Sequence, residues 1–242
     1  MIVLGIESAT DTVGAAVGDG EGLGATFAVT GRRRHAENLA PAIAEVLARS
    51  GIGLERVEAI AVDVGPGLFT GLRVGVATAK GLAQGLGIGV LPLTSLEILA
   101  AAAFESGWPG TVVPVVDGRR AEVFVGRYAR GGDGWAPVAL AAPMRHTPEA
   151  VVDEVIGADD EPVLVCGDGG LRYRSLLERP GRVVVAGDAL GAPDPAVLVR
   201  LAMARLDAGV PPLGATDVVA VYLRDADARI NWVQRAPVGA GG

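Results

Sequence analysis

One cysteine, two histidines and an aromatic content of 4% are what this 242-residue chain has least of, and each scarcity excludes something. The lone Cys166 rules out an internal disulfide and any zinc site built from several cysteines. Set in the apolar run Val163-Leu164-Val165-Cys166, it reads as a small buried hydrophobe. His35 is followed one helical turn later by Leu39, and the other histidine, His146, is far along the chain. Two imidazoles on one helix face, the simplest shared metal site, are therefore missing. Basic residues are outnumbered 21 to 28, giving a net charge of −7. An acidic chain is a poor autonomous binder of nucleic acid, because phosphate contacts need clustered Lys and Arg. The one basic cluster, Arg32-Arg33-Arg34, is too short to reverse that and reads as a solvated loop. No apolar run reaches the length of a membrane span. The opening MIVLGIES has neither the basic start nor the long apolar stretch of a signal peptide. The expected location is cytoplasmic.

What the chain does have is glycine, 36 residues of it, within a composition that is 50% hydrophobic and 20% charged. Such a chain is globular and long enough for one large domain or two small ones. The glycines concentrate in Val64–Ala83, VGPGLFTGLRVGVATAKGLA. The stretch follows an apolar strand, Ala59–Val64, which Gly65-Pro66-Gly67 stops and turns. Leu72, Val76, Ala79 and Ala83 then predict a helix over 71–86. Each interior glycine costs a helix roughly 1 kcal/mol relative to alanine, so close approach of another backbone is expected along the stripe Gly71, Gly75, Ala79, Ala83. Internal packing against the parent sheet is the plainer use of that stripe, and a partner helix is the other. A phosphate cradle at the GPG turn is disfavoured: the stretch contains neither G-x-x-x-x-G-K-[ST] nor G-x-G-x-x-G.

Periodicity elsewhere predicts strands at 1–7, 12–18 and 22–29, a helix at 35–49, and a strand at 88–93. Pro41 lies inside the 35–49 pattern, so that helix is expected to start near Leu39 or to kink. Thr94-Ser95 offers an N-cap for a helix over 96–104. Strands follow at 111–116, 121–128 and 135–141, and a helix opens at Thr147-Pro148. A strand at 162–166 leads through Gly167-Asp168-Gly169-Gly170 into a helix over 171–177, then come a strand at 182–185 and a helix at 195–207. Asp117-Gly118-Arg119-Arg120 reads as an ion-paired hairpin tip in preference to a functional loop. Asp63 is expected to cap the GPG turn rather than to orient phosphate or water. Arg224, Asp225, Asp227 and Arg229 form a mixed-charge segment, expected to be solvated, and Val238–Gly242 a frayed end.

The second half repeats the element order of the first. The expected fold is α/β with a duplicated βββαβαβα unit in two lobes, the topology of the actin, hexokinase and Hsp70 (ASKHA) superfamily. The chain divides into an N-terminal lobe at 1–108, a smaller C-terminal lobe at 109–225 and a tail at 226–242. Superfamily members that work on ATP hold phosphates with two turns. The positions here are Ser8, Thr10 and Asp11 after the first strand, and Gly167, Gly169 and Gly170 in the second half. They are weak cofactor candidates: the first turn lacks the glycine that usually admits phosphate, and the second has a common composition.

GIESATDTVGAAV, RHAENLAPAI, VGPGLFTGLRVGVATAKGLA, PLTSLEILA, VVDGRRAEVFVGRY and VYLRD, in that order and reaching to about residue 225, resemble the TsaB (YeaZ-like) family of bacterial tRNA threonylcarbamoyladenosine biosynthesis. The GPGxFTGLRxGxxxAKG string is the most specific block. The resemblance implies a non-catalytic partner of TsaD, the subunit that transfers threonylcarbamoyl to adenosine 37 of tRNAs reading ANN codons. TsaD carries an H-x-x-x-H metal pair; Leu39 stands where its second histidine would fall. The resemblance further implies pairing through the helices at 35–49 and 71–86, with His35, Leu39, Ala42, Ile43, Val46, Gly71, Arg73, Val74, Gly75, Thr78 and Ala79 as interface candidates. It also implies self-association through the same face, an ATPase partner, TsaE, joining the pair, ATP or ADP only at the level of the complex, and contact with tRNA only through it. His35 is expected at the surface or in that interface. The alternative reading is an autonomous ATP-dependent enzyme of the superfamily, using a pocket between the two turns. A peptidase finds no support, since there is no G-x-S-x-G elbow.

Overall fold

The computed structural model describes residues 1–31, 35–132, 134–157 and 161–223. Arg32-Arg33-Arg34, the charged segment from Arg224 to Arg229 and the tail at 226–242 lie outside the described residues. Among the described residues, ten strands divide evenly into two sheets of one topology. Strands β1 (Val3–Glu7), β2 (Thr12–Asp19), β3 (Gly22–Thr30), β4 (Ala59–Asp63) and β5 (Gly89–Leu93) order as β3-β2-β1-β4-β5. Strands β6 (Val112–Arg119), β7 (Glu122–Arg130), β8 (Pro137–His146), β9 (Val163–Cys166) and β10 (Val183–Val185) order as β10-β9-β6-β7-β8, the same arrangement about β6 that the first sheet has about β1. In each, three antiparallel strands lead and two parallel ones follow. This is the duplicated ASKHA architecture.

Both faces of the first sheet are covered, so β1 and β4 are buried at every position, as in parallel sheets generally. Helices α1 (His35–Ser50) and α2 (Phe69–Leu86) cover one face. Leu39, Ile43 and Val46 meet Leu4, Ile6 and Val62 there. Pro41 sits inside α1 without interrupting its span; the helix begins at His35 and not near Leu39. The other face takes α6 (Pro195–Asp207), through Val197, Leu198 and Leu201 against Val3, Ala16 and Leu91.

Helix α3 (Ser95–Glu105) lies in the layer between the sheets. Ile98 and Ala101 join the core of the first sheet, while Leu96, Leu99 and Phe104 pack on Val112, Val116 and Tyr128 of the second. The lobes thus exchange their last helices: α3 follows the first lobe's strands and packs on the second sheet, and α6 does the reverse. The chain then stays with the first lobe. Leu213 bridges Val90, Val221 N–H donates to the Val64 carbonyl (2.7 Å), and Lys80 Nζ donates to the Val218 carbonyl (3.0 Å). Residues 195–223, expected in the C-terminal lobe, accordingly pack on the N-terminal one.

Smaller differences are local. The helix expected at 147 is a turn followed by one π-helical turn, Val151–Ile156. The helix expected over 171–177 is two short pieces, α4 (Asp168–Arg172) and α5 (Arg174–Leu177). The β6–β7 hairpin turns at Arg120-Ala121 rather than at Asp117-Gly118, because β6 continues through a bulge to Arg119.

Candidate functional site

The turns that close β1 and β9 are linked through Arg119 and Asp117 of the β6–β7 hairpin, and each is filled by the chain's own groups. In the first, Ser8 and Thr10 are buried. Ser8 Oγ donates to the Gly71 carbonyl (2.9 Å), His35 Nε2 donates to the Thr10 carbonyl (2.7 Å), and Leu68 N–H donates to the Ala9 carbonyl (2.7 Å). This is where the glycines of α2 are used. A Cβ on Gly67 would enter the Ala9 carbonyl, one on Gly71 the Ser8 carbonyl, and one on Gly75 the Ser8 hydroxyl. The small-residue stripe lets α2 seat its first turns on the β1–β2 turn, and the Gly65 N–H of the GPG turn is spent on Asp63 Oδ1 (2.7 Å).

In the second turn, Gly167 has φ 94° and its N–H donates to the Leu190 carbonyl (2.7 Å). Gly167 and Gly169 both back onto the Val115 carbonyl with no room for a side chain. Asp168 accepts from Asp117 N–H (2.9 Å). Burial, joined by the charge of Asp117, pushes its carboxyl up to about 6, against the pull of that hydrogen bond and of Arg119. Of the cofactor candidates, Ser8, Thr10, Gly167, Gly169 and Gly170 are thus enclosed in packing.

Asp11 differs: its carboxylate is part-exposed and paired with the second lobe. Arg119 Nη2 lies 3.0 Å from Asp11 Oδ2, and its Nη1 lies 2.7 Å from Asp117 Oδ2. Arg119 N–H also donates to Asp117 Oδ1 (3.0 Å), and Arg172 approaches Asp117 Oδ2 at 3.5 Å. Partial burial would lower the Arg119 guanidinium; its bond to Asp11 and the charges of Asp117, Asp11 and Asp168 outweigh burial and raise it. The hairpin that presents Arg119 is strained. Arg119, Arg120 and Ala121 have φ of 65°, 54° and 57°. A two-residue turn of that hand favours Asn-Gly, and a left-handed L-residue costs about 1–2 kcal/mol.

Behind the first turn is a second acidic feature that sequence reading missed. Glu7 and Asp63, at the adjacent ends of β1 and β4, are both fully buried. Glu7 Oε1 accepts from Ala9 N–H (2.8 Å). Asp63 Oδ1 accepts from Gly65 N–H (2.7 Å) and from Ser95 Oγ (2.8 Å), so Asp63 does cap the GPG turn. The remaining oxygens, Glu7 Oε2 and Asp63 Oδ2, have no other partner. A proton on Glu7 donated to Asp63 satisfies both. Burial, then the charge of Asp63, holds Glu7 well above the usual carboxylate range; burial raises Asp63 to about 6. An acidic residue ending an all-apolar strand was the available signal for Glu7.

The interface candidates separate by exposure. His35, Leu39, Ala42, Ile43, Val46, Gly71, Gly75 and Ala79 are buried in this chain's own core. Their side chains serve α1–sheet and α2–turn packing, and His35 is not at the surface. Arg73 is exposed, and Val74 and Thr78 are half-buried. The outward face of α1 includes Ala36, Glu37, Ala40, Pro41, Ala44 and Ala48, and that of α2 includes Phe69, Thr70, Arg73 and Ala77. Phe69 is 53% exposed, with the Arg73 guanidinium 3.9 Å from its ring centroid and the Tyr222 ring beside it, tilted by 46° at a centroid distance of 5.4 Å. Among the described residues no cluster of His, Cys, Asp and Glu suits a metal ion, and no helix is long and apolar enough to cross a membrane. Cys166 is buried, and burial raises its thiol well above the ordinary range.

Two sheets of one topology and exchanged inner helices define a two-lobed protein with the duplicated α/β fold of the actin, hexokinase and Hsp70 type. Comparison with known proteins narrows this. The family model described as "TsaD: tRNA N6-adenosine threonylcarbamoyltransferase" matches residues 29–232. The "tRNA threonylcarbamoyladenosine biosynthesis protein TsaB" of Haemophilus influenzae is 29% identical over 207 residues, 83% of each chain. The protein of the same description from Bacillus subtilis is 28% identical over 236 residues, 97% of this chain and 99% of its own. The solved structure of YeaZ from Pseudomonas aeruginosa superposes with a TM-score of 0.80 at 25% identity, covering 92% of this chain and 99% of that one. The chain belongs to the TsaD family, on its TsaB/YeaZ side.

Proposed function

We propose that the protein acts in the threonylcarbamoyladenosine modification of tRNA as a non-catalytic subunit, pairing with a TsaD-type transferase through the outward faces of α1 and α2. The observation that carries this reading is the character of that face. Ala36, Ala40, Ala44 and Ala48 recur every fourth residue on the solvent side of α1, beside the exposed Phe69 and Arg73 of α2. Alanine ridges let a second helix pair approach closely, and a half-exposed aromatic under an arginine is the kind of anchor that dominates interface energies. The names of the relatives supply the pathway. Two features support the absence of catalysis: there is no H-x-x-x-H pair, and the groups of both turns are committed to internal partners. A second copy of this chain would use the same face when the transferase is absent. The ATPase TsaE and tRNA would join the assembled pair.

The test is light scattering after size exclusion of this chain mixed with its TsaD. Wild type is expected to form a one-to-one complex. Ala44→Arg and Ala77→Arg, which change only exposed positions, are expected to abolish it while leaving the circular dichroism melt in place. Pairing that survives both substitutions would sink the interface. Micromolar binding of Mg-ATP to the isolated chain would revive the autonomous-enzyme reading. Gly75→Leu does not test pairing, because it strikes the internal contact with Ser8.

A further inference from the structure

We propose that Arg119 is an interlobe latch: its guanidinium, carried on a strained hairpin of the second lobe, holds the β6–β7 hairpin to the β1–β2 turn by gripping Asp11 of the first. Three independent observations meet there. Arg119 spans 108 residues of sequence to reach Asp11, at 3.0 Å, while its other nitrogen stays on Asp117 at 2.7 Å. Asp117 is 2% exposed and needs a cation, so the Arg119–Asp117 half of the grip is the fixed anchor. Asp11 and Arg119 are 29% and 36% exposed, so the half that joins the lobes is the one water and salt can reach. The hairpin from Arg119 to Ala121 keeps three consecutive left-handed L-residues, a conformation that persists only where surrounding contacts over-determine it. Arg119 supplies contacts at its base, to Asp117 and to Asp11.

The latch is separate from the partner face on α1 and α2. Releasing Asp11 leaves the α3 and α6 layer, with Arg205 Nη2 on Glu97 at 2.6 Å, to join the lobes. Its effect is therefore local, freeing the β1–β2 turn and the β6–β7 hairpin from each other.

Hydrogen exchange followed by mass spectrometry tests this on the full chain with Arg119→Gln and Asp11→Asn. Asp11→Asn leaves the Arg119–Asp117 anchor intact, so it remains informative if Arg119→Gln folds poorly. In both, amides of the 8–14 and 115–123 segments are expected to exchange roughly ten-fold faster, with β4 amides unchanged. Raising salt from ~0.05 M to ~1 M is expected to speed the same segments in wild type and to add little in Asp11→Asn. Unchanged exchange at both segments in Asp11→Asn would overturn the latch. So would an acceleration spread evenly over β4 and the helices, which would mark Asp11 as a general stability determinant.

Discussion

Glycines in α2 that look alike in the sequence are opposite in their consequences. Gly71 faces the Ser8 carbonyl, whereas nothing lies within 4 Å of a Cβ built on Gly81. Gly71→Ala is expected to cost about 1–3 kcal/mol, the usual range for overpacking a filled site. At this chain length each kcal/mol lowers Tm by about 2–4 °C. Gly81→Ala is expected to be neutral or to stabilise by up to about 1 kcal/mol, the helix-propensity gain alone. Thermal melts of the two variants check the contrast, and equal effects would mean that α2 does not sit on the turn as described. The buried acids make a second residue-scale prediction, with a definite sign. Glu7, Asp63 and Asp168 all have folded-state values raised above the unfolded ones near about 4. The folded chain therefore holds more protons than the unfolded chain from about pH 4 up through pH 6 and beyond, and stability falls as pH rises across that window. Glu7→Gln supplies a permanent donor to Asp63 and removes one ionisation. It is expected to flatten the fall in Tm between pH 5 and pH 8, with Asp168 keeping a residual slope. A variant whose slope equals that of wild type would show that Glu7 and Asp63 hold no common proton.

Among the elements, those with local instructions were the legible ones. Helix α3 has its start written at Thr94: the Thr94 side chain accepts from Glu97 N–H (3.2 Å) and Glu97 returns a bond to Thr94 N–H (2.9 Å). Helix α6 begins with Asp194 accepting from Ala196 N–H (2.7 Å) and Pro195 in its first turn. Helix α3 stands within a residue of where its cap placed it, and α6 has the bounds expected of it. Pro41 shows the limit of a local rule: the start near Leu39 that it offered is not taken, and the span of α1 runs from His35 through it. The β6–β7 turn misled because Asp117-Gly118 is favourable turn chemistry, yet Asp117 is needed inside the strand for Arg119 and Gly118 is spent on a bulge. The turn after β1 stands where it was expected, while the one expected over 167–170 gives way to α4 from Asp168. Their filling was not legible, because it depends on contacts 63 and 51 residues apart, Ser8 to Gly71 and Asp117 to Asp168. Glu97 also ties α3 to Arg205 of α6 at 2.6 Å. Thr94→Ala is expected to cost about 1 kcal/mol through the cap alone. Glu97→Ala is expected to cost more, because it loses the cap and the inter-helix pair together. A double-mutant cycle on Thr94 and Glu97 by urea denaturation should give a coupling of about 0.5 kcal/mol or more; strict additivity would remove the capping box from the account.

At the scale of the whole molecule, duplication was visible in the element order, and the exchange of helices was not. Periodicity says that 195–207 has an apolar face; it does not say which sheet receives it. The exchange decides how the chain unfolds. Val197, Leu198, Leu201 and Ala202 cover a face of the first sheet made of Val3, Ala16, Ala59 and Leu91, and Ile98 and Ala101 of α3 share that core while the rest of α3 belongs to the second. A fragment of residues 1–108 would therefore expose the part of its sheet that α6 covers together with the side of α3 that the second lobe covers. Such a fragment is expected to be insoluble or molten, despite containing five strands and three helices. The intact chain is expected to unfold in one calorimetric transition, with calorimetric and van't Hoff enthalpies equal. Supplying 195–223 in trans should recover part of the fragment's ordered near-ultraviolet dichroism, whereas a second-lobe fragment ending before Pro195 should not. If 1–108 instead melts cooperatively on its own, α6 is an ornament on an independent lobe, and the two lobes are joined by a linker rather than by a common core.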